Sequence, residues 1–176
     1  MVVLINGVDG AGKGETVNLL DAWMDPRHIE SWAFDAPTSE EVERPHMWRF
    51  WRALPPKGRI GVLFGNWYSQ PIHARVARES SKAELDQRLD QINRFEAMVQ
   101  VARSGEGPRE QLARFREDWR NRDKWDDYAR AVCDMIDRTS TEAAPWTLVE
   151  AENKYFARIK VLRTICERLE AVLGRG

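Results

Sequence analysis

The sequence predicts one α/β domain with a mainly parallel sheet, and three observations lead to that fold class. The chain has 176 residues, the length of an ordinary domain, which buries roughly two thirds of its unfolded surface. Short apolar runs rich in β-branched residues alternate with longer segments of helical periodicity. The first apolar run leads through a glycine-rich loop into a helical segment, an order typical of parallel sheets covered by helices.

The predicted elements follow from local pattern. Strands are expected at Val2–Ile5, a short apolar run that ends in Gly7, and at Arg59–Phe64, which is followed by Gly65-Asn66. The other expected strands are His28–Phe34, stopped by Pro37, and Trp146–Val149, which follows a loop. Thr38 followed by Glu41 is a capping-box signal for a helix that runs to about Ala53. The other helices are expected over Glu15–Met24, 72–102, 109–137 and Asn153–Leu173, with no domain boundary between residues 1 and 176.

Composition excludes several classes of protein. The 27 Lys and Arg residues balance 28 Asp and Glu, so the chain lacks the positive field of a non-specific nucleic-acid binder. Two cysteines, Cys133 and Cys166, are too few for a disulfide scaffold, and we expect them in helix cores. No apolar run is long enough to span a membrane, and the first residues lack the pattern of a signal peptide. We therefore expect a cytoplasmic protein without a nucleic-acid or membrane partner.

The loop after the first predicted strand has the spacing of a phosphate-binding P-loop. It reads Gly7-Val8-Asp9-Gly10-Ala11-Gly12-Lys13-Gly14, so that Gly, four residues, Gly and Lys stand between a strand and a helix. Glycines let successive backbone N–H groups turn toward an oxyanion, and the N-terminus of the following helix adds positive potential. Lys13 adds a mobile charge for the outer phosphates. The predicted phosphate-binding residues are Gly7, Gly10, Ala11, Gly12, Lys13, Gly14, Glu15 and Thr16, and the alternative is a structural glycine turn.

One position departs from the common P-loop. Gly14 follows Lys13 where a Ser or Thr hydroxyl usually holds Mg²⁺. A carboxylate inside a phosphate loop is electrostatically unfavourable unless it binds a cation, so Asp9 is the predicted Mg²⁺ ligand and, with Lys13, a predicted catalytic residue. The alternative for Asp9 is a turn residue that bonds its own backbone.

Several motifs outside the loop are similar to those of the type-2 polyphosphate kinases, which are P-loop phosphotransferases. The resemblance rests on the loop itself, Asp25-Pro26-Arg27, Trp48-Arg49-Phe50-Trp51-Arg52, Trp125-x-x-Tyr128 and Ala144-Pro145-Trp146. It implies a kinase-like three-layer α/β/α fold with a helical lid over about 72–124. It further implies transfer of phosphate between inorganic polyphosphate and a nucleotide, AMP to ADP, with Mg²⁺. Self-association, or pairing with a second homologous domain, is expected from the same resemblance.

The sequence departs from that family at two places. Gly65 and Asn66 stand where the family has an Asp and an Arg after the third strand, which would bind Mg²⁺ and phosphate. A buried strand expected beside the first strand is shortened or missing. Either Met98–Ala102 replaces it, or Trp146–Val149 pairs directly with Val2–Ile5. A catalytically degenerate nucleotide- or polyphosphate-binding or supporting domain is therefore the alternative function, and an ATP-dependent nucleotide kinase ranks third.

Three arginines are candidate phosphate contacts. Arg52 follows two tryptophans on a predicted helix, so it either contacts phosphate or stacks on an indole ring. Arg114 and Arg116 resemble the base of the family's lid, and surface charge is the alternative for both. Trp67 and Tyr68 either stack on a base or pack in the wall of the site.

Overall fold

The computed structural model describes residues 1–7, 12–103, 112–118, 125–142, 144–150 and 152–174. These residues form one five-stranded sheet, in the order β2-β3-β1-β4-β5, with every neighbouring pair parallel. The strands are β1 (Val2–Gly7), β2 (Ile29–Ala33), β3 (Ile60–Phe64), β4 (Leu112–Asp118) and β5 (Trp146–Glu150). The helices are α1 (Lys13–Trp23), α2 (Ser39–Val42), α3 (Trp48–Arg52), α4 (Ser69–Val76), α5 (Lys82–Arg103), α6 (Trp125–Thr139) and α7 (Lys154–Leu173). The predicted α/β class is confirmed.

Alternation along the central strands divides the core into two layers. Val3 and Ile5 of β1 pack with buried residues of α1 and α7, whereas Leu4 packs with those of α3, α4, α5 and α6. Since successive side chains of a strand face opposite sides of the sheet, helices cover both faces. The result is the predicted three-layer arrangement, with the carboxyl ends of the parallel strands on one edge of the sheet.

Strand β4 corrects the prediction for the middle of the chain. Residues 112–118 form a strand instead of the predicted helix, and it lies between β1 and β5. Neither expected replacement occurs, because Met98–Ala102 lies within α5 and Trp146–Val149 pairs with β4. The run Leu-Ala-Arg-Phe-Arg-Glu-Asp is charged and short of β-branched residues, so local pattern favours a helix. Pairing on both sides overrides that preference.

The two helices before β3 correct a second prediction. The capping box is present, with Thr38 Oγ1 accepting from the Glu41 N–H and a Glu41 carboxylate oxygen accepting from the Thr38 N–H. The helix nevertheless ends at Val42, and a separate helix begins at Trp48. Pro45 lies between them and disfavours helical geometry in the residue that precedes it.

The surfaces of the helices also differ from expectation at the cysteines. Cys133 and Cys166 are both exposed, so the prediction that they lie in helix cores is wrong. Helical periodicity alone does not fix which face of α6 and α7 meets the sheet. Among the helices that the structure describes, none is long and apolar enough to cross a lipid bilayer.

Candidate phosphate-binding site

The predicted phosphate loop lies at the carboxyl end of the central strand β1. Gly7 ends β1, and Gly12 caps α1 in the left-handed conformation, with φ of 87°, which glycine adopts without steric cost. Gly12, as the N-cap residue, has no side chain that could cap the first turn of α1. The N–H groups of that turn carry the anion-binding potential of a helix N-terminus. Asp9, Gly10 and Ala11 lie outside the described residues.

The ammonium group of Lys13 lies between the ends of two strands. Its Nζ donates a hydrogen bond to the Gly7 carbonyl oxygen, the last of β1, at 2.5 Å. The same nitrogen lies 5.7 Å from the ring centroid of Phe64, the last residue of β3. A phosphate held by the loop would therefore meet a positive charge at the edge of the sheet where α/β proteins bind ligands.

The other predicted residues of the first helical turn, Gly14, Glu15 and Thr16, offer no free side chain to a phosphate. Thr16 is buried, and its hydroxyl donates to the Gly12 carbonyl oxygen at 3.3 Å. The carboxylate of Glu15 forms an ion pair with Arg158 of α7. Gly14 has no heavy atom within 4 Å of the place where a Cβ would lie. Contacts of these three residues with phosphate would therefore come from the backbone.

At the carboxyl end of β3, the backbone is built around a glycine. Gly65 has φ of 67°, and a Cβ placed on it would lie 2.6 Å from the Phe34 carbonyl oxygen. Phe34 is itself fixed, since its N–H donates to the Phe64 carbonyl oxygen at 2.8 Å. A side chain at position 65 therefore requires the backbone after β2 or β3 to move.

Asn66 connects the ends of β1 and β3 through its side chain. Its Oδ1 accepts hydrogen bonds from Asn6 Nδ2 at 3.0 Å and from the Tyr68 N–H at 3.1 Å. Ser69 completes this group, since its hydroxyl donates to Asn6 Oδ1 and accepts from the Asn66 N–H, both at 3.2 Å. A neutral amide network thus occupies the place where the family pattern has charged side chains.

The turn after Asn66 is held from below by a buried carboxylate. Glu96 of α5 is 5% exposed, and its Oε1 accepts from Trp67 Nε1 at 3.0 Å and from the Tyr68 hydroxyl at 2.7 Å. Trp67 and Tyr68 are fully buried, so they pack in the wall and do not stack on a ligand base. Glu96 is not among the residues predicted from the sequence, although a charged residue on the apolar stripe of Leu89, Ile92 and Val99 was the available signal.

A histidine packs against the same turn. Burial lowers the pKa of His46, the positive charges of Arg88 and Arg49 lower it further, and a hydrogen bond with the Trp67 backbone acts in the opposite direction. The ring packs edge-on against Phe50 at 5.5 Å. His46 is therefore a half-buried group that favours the neutral state.

The candidate arginines belong to two different elements, α3 and β4. The Arg52 guanidinium carbon lies 4.7 Å from the centroid of the Trp48 ring, which is the stacking alternative. On β4, Arg116 is level with Asn6 of β1, near the loop, and Arg114 is level with Leu4. These two belong to a sheet strand, so the prediction that they form the base of a helical lid is wrong.

Part of the predicted lid contributes to the core. Five apolar side chains of α5 are buried in the layer on one face of the sheet: Leu85, Leu89, Ile92, Phe95 and Val99. Burial of each such side chain contributes about 1.5–3 kcal/mol. This stretch of α5 is therefore a fixed part of the domain.

The described residues do not build a Mg²⁺ site by themselves. No group of three or more His, Cys, Asp or Glu side chains converges anywhere in the described ranges. Gly65 supplies no carboxylate, Gly14 supplies no hydroxyl, and the Thr16 hydroxyl is engaged with Gly12. The Mg²⁺ prediction therefore depends on Asp9 alone.

Comparison with protein families gives one match across nearly the whole chain. The family Polyphosphate kinase 2 matches residues 1–105 and 101–174. The polyphosphate:AMP phosphotransferase of Pseudomonas aeruginosa is 40% identical over 195 aligned positions, covering 99% of this chain and 39% of that protein. The aligned stretch is longer than this chain, so the relative has residues there without a counterpart here. The family resemblance found in the sequence is confirmed.

Comparison with solved structures gives the same fold. Polyphosphate kinase 2 from Arthrobacter aurescens superposes with a TM-score of 0.87 at 27% identity, over 97% of this chain and 68% of that one. Thymidylate kinase from Ehrlichia chaffeensis superposes with a TM-score of 0.61 at 12% identity, over 94% of this chain and 97% of that one. The kinase-like fold predicted from the sequence is confirmed.

Proposed function

Since the chain belongs to the polyphosphate kinase 2 family, we propose that it transfers phosphate between inorganic polyphosphate and an adenine nucleotide, with AMP to ADP as the expected reaction. The observation that carries the proposal is the position of Lys13. Its ammonium group lies between the ends of β1 and β3, in the first turn of α1. That position suits a cation that neutralises a transferring phosphoryl group.

In the proposed reaction, an oxygen of the AMP phosphate attacks the terminal phosphorus of polyphosphate. The new P–O bond gives ADP as the bond between the terminal phosphorus and its bridging oxygen breaks. The shortened polyphosphate leaves with the electrons of that bond. Backbone N–H groups from Gly10 to Gly14 hold the phosphate oxygens in place, and Lys13 balances their charge. Positioning and charge neutralisation supply most of the catalysis in such transfers.

Mg²⁺ remains part of the proposal, with Asp9 as its protein ligand. In phosphotransferases Mg²⁺ is commonly held by one or two carboxylates together with the phosphates of the substrate. The positive charge it supplies when bound would add to that of Lys13. Arg52, Arg114 and Arg116 remain proposed phosphate contacts, and Arg116 is favoured by its position level with Asn6.

A second candidate is a binding or supporting domain that completes an active partner. The close approach between a Cβ at position 65 and the Phe34 carbonyl oxygen favours it, because the end of β3 is shaped around a residue without a side chain. The chain spans about two fifths of the length of the Pseudomonas aeruginosa relative. A second homologous domain, or a second copy of this chain, is the proposed partner, and the cytoplasm is the proposed location.

The test is the conversion of AMP to ADP by the purified chain with polyphosphate and Mg²⁺. We compare it with Lys13→Ala and with Lys57→Ala, which removes an exposed loop lysine as a matched control. Loss of turnover by about a hundredfold or more in Lys13→Ala alone supports the phosphotransferase. If the folded chain makes no ADP, the result favours a domain that completes an active partner. If ADP is made from ATP regardless of polyphosphate, the result favours an ordinary nucleotide kinase.

A further inference from the structure

The orientation of the Asn66 side-chain amide is fixed by its neighbours. The Tyr68 backbone N–H can only donate, so the Asn66 atom that faces it at 3.1 Å must be the carbonyl oxygen. Asn6 Nδ2 donates to the same oxygen, and the Ser69 hydroxyl donates to the side-chain oxygen of Asn6. Rotating either amide by half a turn would place a donor against a donor or an acceptor against an acceptor.

This orientation leaves the Asn66 NH₂ group as a buried donor. The residue is 2% exposed, and its Nδ2 has no hydrogen-bond partner within the described parts of the chain. A buried donor without an acceptor is destabilising, and the protein recovers that loss when an acceptor arrives. The structure thus holds an unpaired donor in place before any ligand binds.

Asn66 follows β3 at the edge of the sheet where the phosphate loop follows β1. Asn6, which bonds to Asn66, directly precedes Gly7, and the Gly7 carbonyl oxygen accepts from Lys13 Nζ. In the parallel pairing of β1 and β3, Ile5 lies opposite Phe64. Gly7 and Asn66 each lie two residues further along the chain, so both are at the same edge of the sheet. An anion bound at the start of α1 would bring phosphoryl oxygens to this edge.

We propose that Asn66 Nδ2 donates a hydrogen bond to a phosphoryl oxygen of bound polyphosphate or nucleotide, so that the end of β3 holds phosphate through a neutral amide and without a metal ion. This inference rests on the proposed function in requiring phosphate at the loop. It goes further in assigning a ligand contact to Asn66 and in making that contact independent of Mg²⁺. Gly65 supplies the reason, because no carboxylate can enter at its position without a backbone shift.

The experiment measures the affinity for tripolyphosphate by calorimetry, in EDTA and in Mg²⁺, with three variants at positions 66 and 18 and with Lys13→Ala. Asn66→Asp keeps an oxygen for the Tyr68 N–H and for Asn6, and it replaces only the donor with a charged acceptor. Asn66→Ser removes the NH₂ group and leaves a shorter side chain whose hydroxyl can still accept from the Tyr68 N–H, which covers the case in which Asn66→Asp does not fold. Asn18→Asp adds the same charge at an exposed position of α1 as the control. Thermal unfolding without ligand checks that each variant is folded.

We expect wild type and Asn18→Asp to bind within about twofold of each other, and both Asn66 variants to bind roughly ten- to a hundredfold more weakly. Wild-type affinity in the folded Asn66 variants overturns the inference. If wild type binds only after Mg²⁺ is added, and Lys13→Ala abolishes that binding, the inference is wrong and the proposed function stands. No binding in either buffer contradicts both.

Discussion

The carboxyl ends of β1 and β3 are neighbours that meet the demands of phosphate chemistry in different ways. At β1, the groups that would hold phosphate are backbone N–H groups and Lys13, and the side chains of Glu15 and Thr16 are engaged in the fold. At β3, the family pattern relies on side chains, and this chain has Gly65 and Asn66 instead. A function that the backbone performs tolerates sequence change, whereas one that a side chain performs is lost with that side chain. The effect of substitutions at Glu96, Gly65 and His46 on stability measures how rigidly the β3 end is held.

The largest effect on stability is expected from the carboxylate beneath the β3 turn. Glu96→Ala leaves the Trp67 N–H and the Tyr68 O–H without their buried acceptor, which should lower the free energy of unfolding by about 3–5 kcal/mol. Urea unfolding followed by fluorescence measures it. Glu96→Gln, which keeps an acceptor oxygen, should cost less than half as much. Equal stability of Glu96→Ala and wild type would show that α5 does not hold this turn.

Paired glycine substitutions compare the two strand ends directly. Gly65→Ala meets the Phe34 carbonyl oxygen and a positive φ, so it should cost roughly 2–4 kcal/mol of unfolding free energy. Gly14→Ala meets nothing and adds a better helix former, so it should stabilise the chain by up to about 1 kcal/mol. Differential scanning calorimetry of both variants gives the contrast. A Gly65→Ala variant as stable as wild type would mean that the β3 end accepts a side chain.

The smallest effect is a pH dependence from His46, which packs against the same turn. Burial holds its pKa below the ordinary value of about 6.5, so the folded state disfavours the protonated ring. The unfolded chain then binds more protons below that value, and stability falls as the pH drops from 7.5 to 5.5. His46→Phe should flatten this part of the curve. An unchanged slope in the variant would assign the pH dependence to other groups.

Much of this fold could be predicted from sequence because its elements have strong local signals. The central strands β1 and β3 are buried apolar runs, with glycine at the end of β1 and directly after β3, and α7 begins at the Asn153 cap that the pattern indicates. Strand β4 could not be found in this way. Its residues are mostly charged, and their strand conformation comes from pairing with β1 and β5, which are far away in sequence.

The site residues likewise divide into those that the sequence predicts and those whose contacts only the fold shows. The loop and Lys13 follow from motif spacing, and the altered residues Gly65 and Asn66 follow from the family pattern. What the sequence does not contain is the contact of position 65 with Phe34, which depends on how two strands align. The role of Glu96 was likewise hidden, since only the folded chain brings Trp67 and Tyr68 to it.

The most direct measurement is the position at which phosphate binds to the protein. We would titrate ¹⁵N-labelled protein with tripolyphosphate and follow the amide resonances by NMR. We expect shifts at the backbone amides of Gly12, Lys13 and Gly14 and at the side-chain NH₂ of Asn66, with little change on α7. Shifts confined to exposed arginines away from the loop, such as Arg163 of α7, with the start of α1 unaffected, would contradict phosphate binding at the loop.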